Sequence, residues 1–419
     1  MGACLVVRRE LLPITGKGGV TLLPGHQELI ADIASEITRN GPMPFARFME
    51  LCLYHPQFGY YVRPVDSPGH ERIGWSGDFY TSSDVHPFLA HALAKQTKQI
   101  DQLLGSPAPL TVVEMGPGKG LLARDFLAAC QDYGQSFNER LRYVLIERSA
   151  AMRTLQQEAL APYMHRTGLV TWLASLDELP PGSVEGVFLS NELVDAFPVH
   201  RVIMADGTLR EMYVRWNGEI FEECAGPLST PLLAEYLNRL DLTLENNVRA
   251  EINLEAARWM DKVARLMAQG VVLTIDYGHT AQDLYGPARR RGTLVCYYHQ
   301  TASDDPYTRV GEQDMTTHVD FTSLAMIGET AGLTVTGFTN QMSFLIALGM
   351  EEMLATLAPD SPEFAGAIHL LRPEGMGRTF KILVQHKGMA RPELDGLKFQ
   401  PFFGSALTAT GTLSTADRR

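Results

Sequence analysis

Three stretches of this 419-residue chain place chemically capable side chains at the ends of apolar runs. The first is Val112-Val113-Glu114-Met115-Gly116-Pro117-Gly118-Lys119-Gly120. It predicts a buried strand ending in an acid, then three alternating glycines before a helix. Glycine reaches backbone angles closed to other residues, so a ligand can lie close to the main chain at the carboxyl end of the strand. The Gly-x-Gly-x-Gly spacing lacks the helix entry of a dinucleotide loop. Lys119 is followed by Gly120, not by the Ser or Thr of a Walker loop. A ligand without a pyrophosphate fits better, and S-adenosylmethionine is of that kind. Its methionine part would lie over the loop, and its ribose hydroxyls need an acidic acceptor. Glu114, Gly116, Gly118 and Gly120 are therefore candidate cofactor residues. Glu147 follows the second apolar run, 27 residues after Gly120. It is the candidate ribose acceptor, with an ordinary helix N-terminal acid as the other reading.

The second stretch, Phe188-Leu189-Ser190-Asn191-Glu192-Leu193-Val194-Asp195, ends another apolar strand. Asn191 and Glu192 should face the cofactor at the strand's carboxyl end. Asp195 falls on the face of Glu192 if a helical turn forms. Two carboxylates there can hold a guanidinium and balance positive charge in the transition state. Helix capping by Asn191, with the acids favouring the dipole, is the competing reading. The third stretch, Ile275-Asp276-Tyr277-Gly278-His279, repeats the arrangement and offers His279 as a general base or a surface histidine. No zincin, EF-hand or nucleophile-elbow motif occurs, so the chemistry requires no metal.

The elements that must position these residues follow from periodicity. Strands are expected at 110–115, 142–147, 170–173, 184–190 and 271–276, alternating with helices at 121–133 and 149–163. This predicts an α/β doubly wound parallel sheet. A hairpin turning at Asp206-Gly207 and helices near 231–240 and 252–269 form an insertion, about 200–268, between the fourth and fifth strands. Later strands fall near Val335 and Ile382. Residues 1–104 are expected as an irregular arm and helical cap, 105–387 as the main domain and 388–419 as a tail. The net charge of −12 argues against a broad nucleic-acid surface, and no apolar run is long enough for a membrane span. Five scattered cysteines without C-x-x-C spacing argue against zinc ribbons and a disulfide framework. With no recognisable leader, a cytoplasmic location is expected.

Read together, the chain resembles the MidA-type family of S-adenosylmethionine-dependent methyltransferases, which includes the mitochondrial protein arginine methyltransferase called complex I assembly factor 7. The resemblance spans about 42–386. It rests on Leu53-Tyr54-His55-Pro56 with Gly59-Tyr60-Tyr61, Gly77-Asp78-Phe79-Tyr80-Thr81-Ser82, the glycine loop, and Asn191-Glu192 with Asp195-Ala196-Phe197-Pro198-Val199. Asp276-Tyr277-Gly278-His279, Gly311-Glu312-Gln313-Asp314 and His318-Val319-Asp320-Phe321 complete it. Lys119 replaces the more usual arginine, and Ser83 a common proline. The resemblance implies a class I methyltransferase fold, and a lid over the cofactor containing Asp78, Phe79 and Thr81. It also implies methylation of a protein arginine, in mitochondrial members symmetric dimethylation of a complex I subunit. A small-molecule O- or N-methyltransferase and an assembly chaperone keeping a vestigial cofactor site stay open as alternatives. So does the oligomeric state, a homodimer included.

Overall fold

A computed structural model of the chain describes residues 5–6, 24–63, 72, 74, 77–78, 81–372, 375–401 and 407. The chain forms two compact units. One comprises Met1–Arg72, Ala196–Glu255 and Gln282–His318; the other comprises Ile73–Asp195, Ala256–Ala281 and Val319–Arg419.

The second unit is built on β1 (Leu110–Met115), β2 (Leu141–Ile146), β3 (Val170–Leu173), β4 (Val184–Asn191), β5 (Met267–His279), β6 (Thr334–Asn340) and β7 (Phe380–Lys387). Their order is β6-β7-β5-β4-β1-β2-β3, and Val319–Asp320 adds a short parallel partner to β5. Strands β1 to β5 run parallel, and β7 is antiparallel to both neighbours. The chain winds outward from β1 through β2 to β3 and returns to β4 on the other side of β1. The switch point between β1 and β4 is where open parallel sheets bind ligands. This is the class I methyltransferase architecture.

Helices α1 (Phe88–Leu103) and α2 (Leu121–Cys130) contribute Leu89, Leu93, Ile100, Leu122 and Phe126 to the core with Val112, Leu145, Val187 and Leu273. Helix α3 (Ala150–Ala159) follows β2, and α4 (Leu254–Leu266) precedes β5. Trp259 of α4 meets Phe188 of β4 edge-on, with ring centroids 6.1 Å apart.

The unit boundaries differ from the expected ones for packing reasons. The cap was expected to end at 104, but α1 buries its apolar face in the core of the second unit. The insertion was expected to run to 268, yet Trp259, Met260 and Val263 of α4 are buried within that unit too. The tail was expected from 388, but Leu394 and Leu397 are buried, and the Gly396 amide donates to Gln96 at 2.8 Å.

The first unit carries helices Gln27–Asn40 and Phe45–Tyr54 and an antiparallel sheet. In it, His200–Ala205 and Thr208–Trp216 form the expected hairpin. Asp206 and Gly207 both take the left-handed angles its tight turn demands (φ 49° and 72°). The sheet is extended by Phe221–Gly226 and Arg249–Ile252. Arg201 lies buried between Glu223 (2.5 Å) and Glu251 (3.4 Å), and the Tyr307 hydroxyl donates to Glu223 at 3.0 Å. Tyr307 belongs to the segment Gln282–His318 of this unit. That segment forms a small sheet of Val295–Tyr298, Thr301–Ser303 and Asp314–Thr316. Its apolar signal is weak because buried Asp314 is satisfied from far away, by the Tyr61 hydroxyl at 2.6 Å. The expected N-terminal arm lies almost wholly outside the described residues; Leu5–Val6 pairs with Phe221–Gly226. Cys52, Cys130 and Cys296 are buried free thiols, whereas Cys224 is disulfide-bonded, a pairing its spacing did not reveal. No helix among the described residues is long and apolar enough to cross a membrane.

Candidate active site

All candidate residues lie in the second unit, most of them at the carboxyl ends of β1, β2, β4 and β5. The loop glycines Gly116, Gly118 and Gly120 have φ of 73°, 51° and 80°. A Cβ on Gly116 would stand 2.8 Å from Leu193 Cδ1, and one on Gly120 would stand 3.2 Å from Gln156 Cα. On Gly118 it would meet nothing within 4 Å. The outer glycines are needed for packing, while Gly118 borders open space that a ligand can enter. This cradle fits the methionine part of S-adenosylmethionine.

Glu114 is buried before the loop, where its Oε2 accepts a 2.8 Å hydrogen bond from the Tyr143 hydroxyl. Burial raises its pKa to about 7, against the opposing effect of that hydroxyl. Glu147 Oε1 accepts from the Ser149 amide at 2.7 Å, and its Oε2 accepts from Gln156 Nε2 at 3.1 Å. Burial again raises its pKa. The capping contact of the alternative reading therefore exists. A carboxylate offers about four acceptor positions, so each oxygen keeps capacity for a ribose hydroxyl.

At the end of β4, Glu192 adopts φ 53°, a left-handed angle uncommon outside glycine that marks local strain. No helical turn forms over 191–195, so the predicted juxtaposition of the acids arises differently. Glu192 Oε1 accepts from the Ser82 amide (3.0 Å) and from Asn191 Nδ2 (3.1 Å). Asn191 Oδ1 is buried with no partner among the described residues, an acceptor available to a ligand. Asp276 is wholly buried. Its Oδ2 gathers the amides of Leu193 (3.3 Å), Val194 (3.0 Å) and Asp195 (3.3 Å), and the Tyr277 hydroxyl donates to Asp195 Oδ2. Half-buried Glu192 and buried Asp195 and Asp276 thus share one corner. Burial, followed by neighbouring Asp195 and Glu192, drives the Asp276 pKa well up. Burial, with Asp195 and Asp84 adding repulsion, raises Glu192 to about 8.

The segment expected as a lid is tied to this corner. Thr81 caps the short helix Ser82–Val85, with its amide donating to Asp84 at 3.0 Å. Lys119 of the glycine loop pairs with Asp84 at 2.7 Å. Asp78 is buried, and Phe79 lies outside the described residues. His279 ends β5, half-buried and in register with Asp320, while Asp276 and Tyr277 make the contacts to the acid loop. Reading by motif passed over Ser82, Asp84, Gln156, Asp276 and Tyr277 as site residues. Asp276 and Tyr277 stood inside a quoted motif; Gln156 carried no signal at all.

The family described as "Putative S-adenosyl-L-methionine-dependent methyltransferase" matches residues 92–339, more than half of the chain. The chain belongs to this family. S-adenosylmethionine is accordingly the cofactor of this methyltransferase. A protein from Burkholderia thailandensis, solved with bound S-adenosyl-homocysteine, superposes with a TM-score of 0.79 at 29% identity, covering 89% of this chain and 95% of its own. The Drosophila melanogaster protein named protein arginine methyltransferase NDUFAF7 homolog, mitochondrial, is 27% identical over 88% of this chain and 87% of its own length. The Danio rerio protein arginine methyltransferase NDUFAF7, mitochondrial, is 28% identical over 85% of this chain and 86% of its own. These mitochondrial relatives overturn the cytoplasmic expectation. Composition and cysteine spacing carry too little information about compartment to support it.

Proposed function

We propose that this methyltransferase modifies an arginine side chain of a protein. Glu192 and Asp195 would form the acceptor site, and Glu114, the loop glycines, Glu147 and Asn191 the cofactor site. The observation that carries the reading is the acid corner after β4, where Glu192 and Asp195 are held by Ser82, Asp276 and Tyr277. Crowded carboxylates are unfavourable to bury without a cation, and a guanidinium supplies both charge and paired donors. The names of the fly and zebrafish relatives support the same acceptor chemistry. When bound, S-adenosylmethionine would supply an electrophilic sulfonium methyl group, with S-adenosyl-homocysteine as the leaving thioether, and the proton lost by the methylated nitrogen would pass to the adjacent carboxylates. The acids orient that nitrogen and balance the charge of the guanidinium, and the Ser82 amide holds Glu192 by a 3.0 Å hydrogen bond. A subunit of respiratory complex I is the first acceptor to try.

The test is to incubate the protein with methyl-labelled S-adenosylmethionine, a mitochondrial extract and purified complex I subunits, then to hydrolyse the labelled products. Label recovered as methylarginine is the expected result. Label confined to a small metabolite would overturn the arginine assignment. A separate expectation concerns the ribose. Glu147→Ala removes a charged acceptor whose hydrogen bonds are each worth about 1.5–3 kcal/mol. Affinity for S-adenosyl-homocysteine should fall at least about tenfold, read by calorimetry. Wild-type affinity would leave Glu147 with its capping role alone.

A further inference from the structure

Gln156 of α3 is fully buried, and each polar atom of its amide is engaged. Nε2 donates to the Gly118 carbonyl at 2.8 Å and to Glu147 Oε2 at 3.1 Å. Oε1 accepts from Trp172 Nε1 at 2.9 Å. One side chain therefore joins the loop after β1, the acid after β2 and the indole on β3. A leucine would fill the volume, whereas the two donated hydrogen bonds require an amide. Anchoring the Gly118 carbonyl also fixes the adjoining peptide plane, which turns the Lys119 amide away from Gln156. Glu147 is held at Oε1 by the Ser149 amide at the start of α3 and at Oε2 by Gln156, so both of its oxygens are restrained.

We infer that Gln156 is a positioning residue that locks the Gly118 peptide and the Glu147 carboxylate together and thereby sets the enzyme's preference for a ribose-bearing ligand. This rests on the proposal that the loop and Glu147 hold the cofactor. With Gln156 removed, Glu147 keeps its charge but is restrained at one oxygen only, and preorganised recognition of the hydroxyls is lost. Packing alone would predict a drop in stability with the ribose preference intact.

The experiment measures calorimetric affinities of the full chain for S-adenosyl-homocysteine and for its 2′-deoxy counterpart. Wild type should prefer the ribose form by about tenfold or more, as expected for a hydroxyl bonded to a charged acceptor. Glu147→Ala should abolish that preference. Gln156→Met, which keeps the volume, should reduce it to within about threefold while melting cooperatively. Gln156→Glu keeps the acceptor for Trp172 but removes both donors, and should show the same loss at pH 8; it decides the matter if Gln156→Met does not fold. Full preference in the folded Gln156 variants, with loss in Glu147→Ala, would overturn the positioning role and leave the Glu147 assignment standing. Absence of any preference in wild type would instead overturn the ribose assignment of Glu147, and the role of Gln156 with it.

Discussion

Glu192→Gln and Asp195→Asn will bind S-adenosyl-homocysteine like the wild type and transfer methyl groups to protein about a hundredfold more slowly, the scale of lost preorganised electrostatics. Both amides keep the local contacts. Glutamine Oε1 still accepts from the Ser82 amide, and asparagine Oδ1 still accepts from the Tyr277 hydroxyl. What disappears is the negative charge opposite a guanidinium, and an amide offers donors where donors already point. The pH profile adds an independent check. Glu192 titrates near 8 because of its burial, so its charged form grows as pH rises from 6 towards 9, and transfer should rise with it. In Glu192→Gln that limb should flatten. The stability effect has the opposite sign. A carboxyl raised from 4.5 to about 8 on folding stabilises the fold fully below about pH 4.5, and that contribution is lost as pH rises through 8. Glu192→Gln should therefore be more stable than wild type at pH 9, by on the order of 5 kcal/mol, and show little gain at pH 4. Full activity in both variants would remove the acid corner from the reaction. A destabilised Glu192→Gln at pH 9 would show that the carboxylate is already compensated in the free protein.

Gly118→Val should abolish measurable cofactor binding, a loss beyond about a hundredfold, with little cost to the fold. The direction of a Cβ at Gly118 is empty to 4 Å, so the valine meets no protein atom there. If the loop holds the cofactor as proposed, the added methyl groups occupy space the ligand needs. The left-handed φ of 51° adds strain of about 1–2 kcal/mol, enough to lower the melting temperature by a few degrees. Gly116→Val behaves differently, because its Cβ would clash with Leu193 and disturb the acid loop as well. Calorimetry with S-adenosyl-homocysteine beside a thermal melt separates the two variants. Unchanged affinity in Gly118→Val would place the cofactor elsewhere.

The glycine spacing at 116, 118 and 120, the acids closing β1 and β4, and the runs of β1 to β5 are local patterns, legible because the backbone and strand periodicity impose them directly. They were enough to specify a parallel sheet and to bring the correct strand ends together. The insertion of antiparallel β7 between β5 and β6 was not legible, since its apolar run reads the same in either direction. Nor was the membership of 282–318 in the first unit, where Asp314 and Tyr307 are buried and bonded to residues more than 80 positions away.

The sequence by itself determined the fold class, the glycine-rich loop after β1 and the list of acids that could act. Tertiary structure alone decided how those acids are held. Glu192 is gripped by an amide 110 residues upstream, the 193–195 backbone by a carboxylate at Asp276, and Glu147 by Gln156 from the next helix. A hydrogen bond between distant residues leaves no periodicity in the chain. It follows from which strands pair and which polar groups are left to satisfy one another once water is excluded.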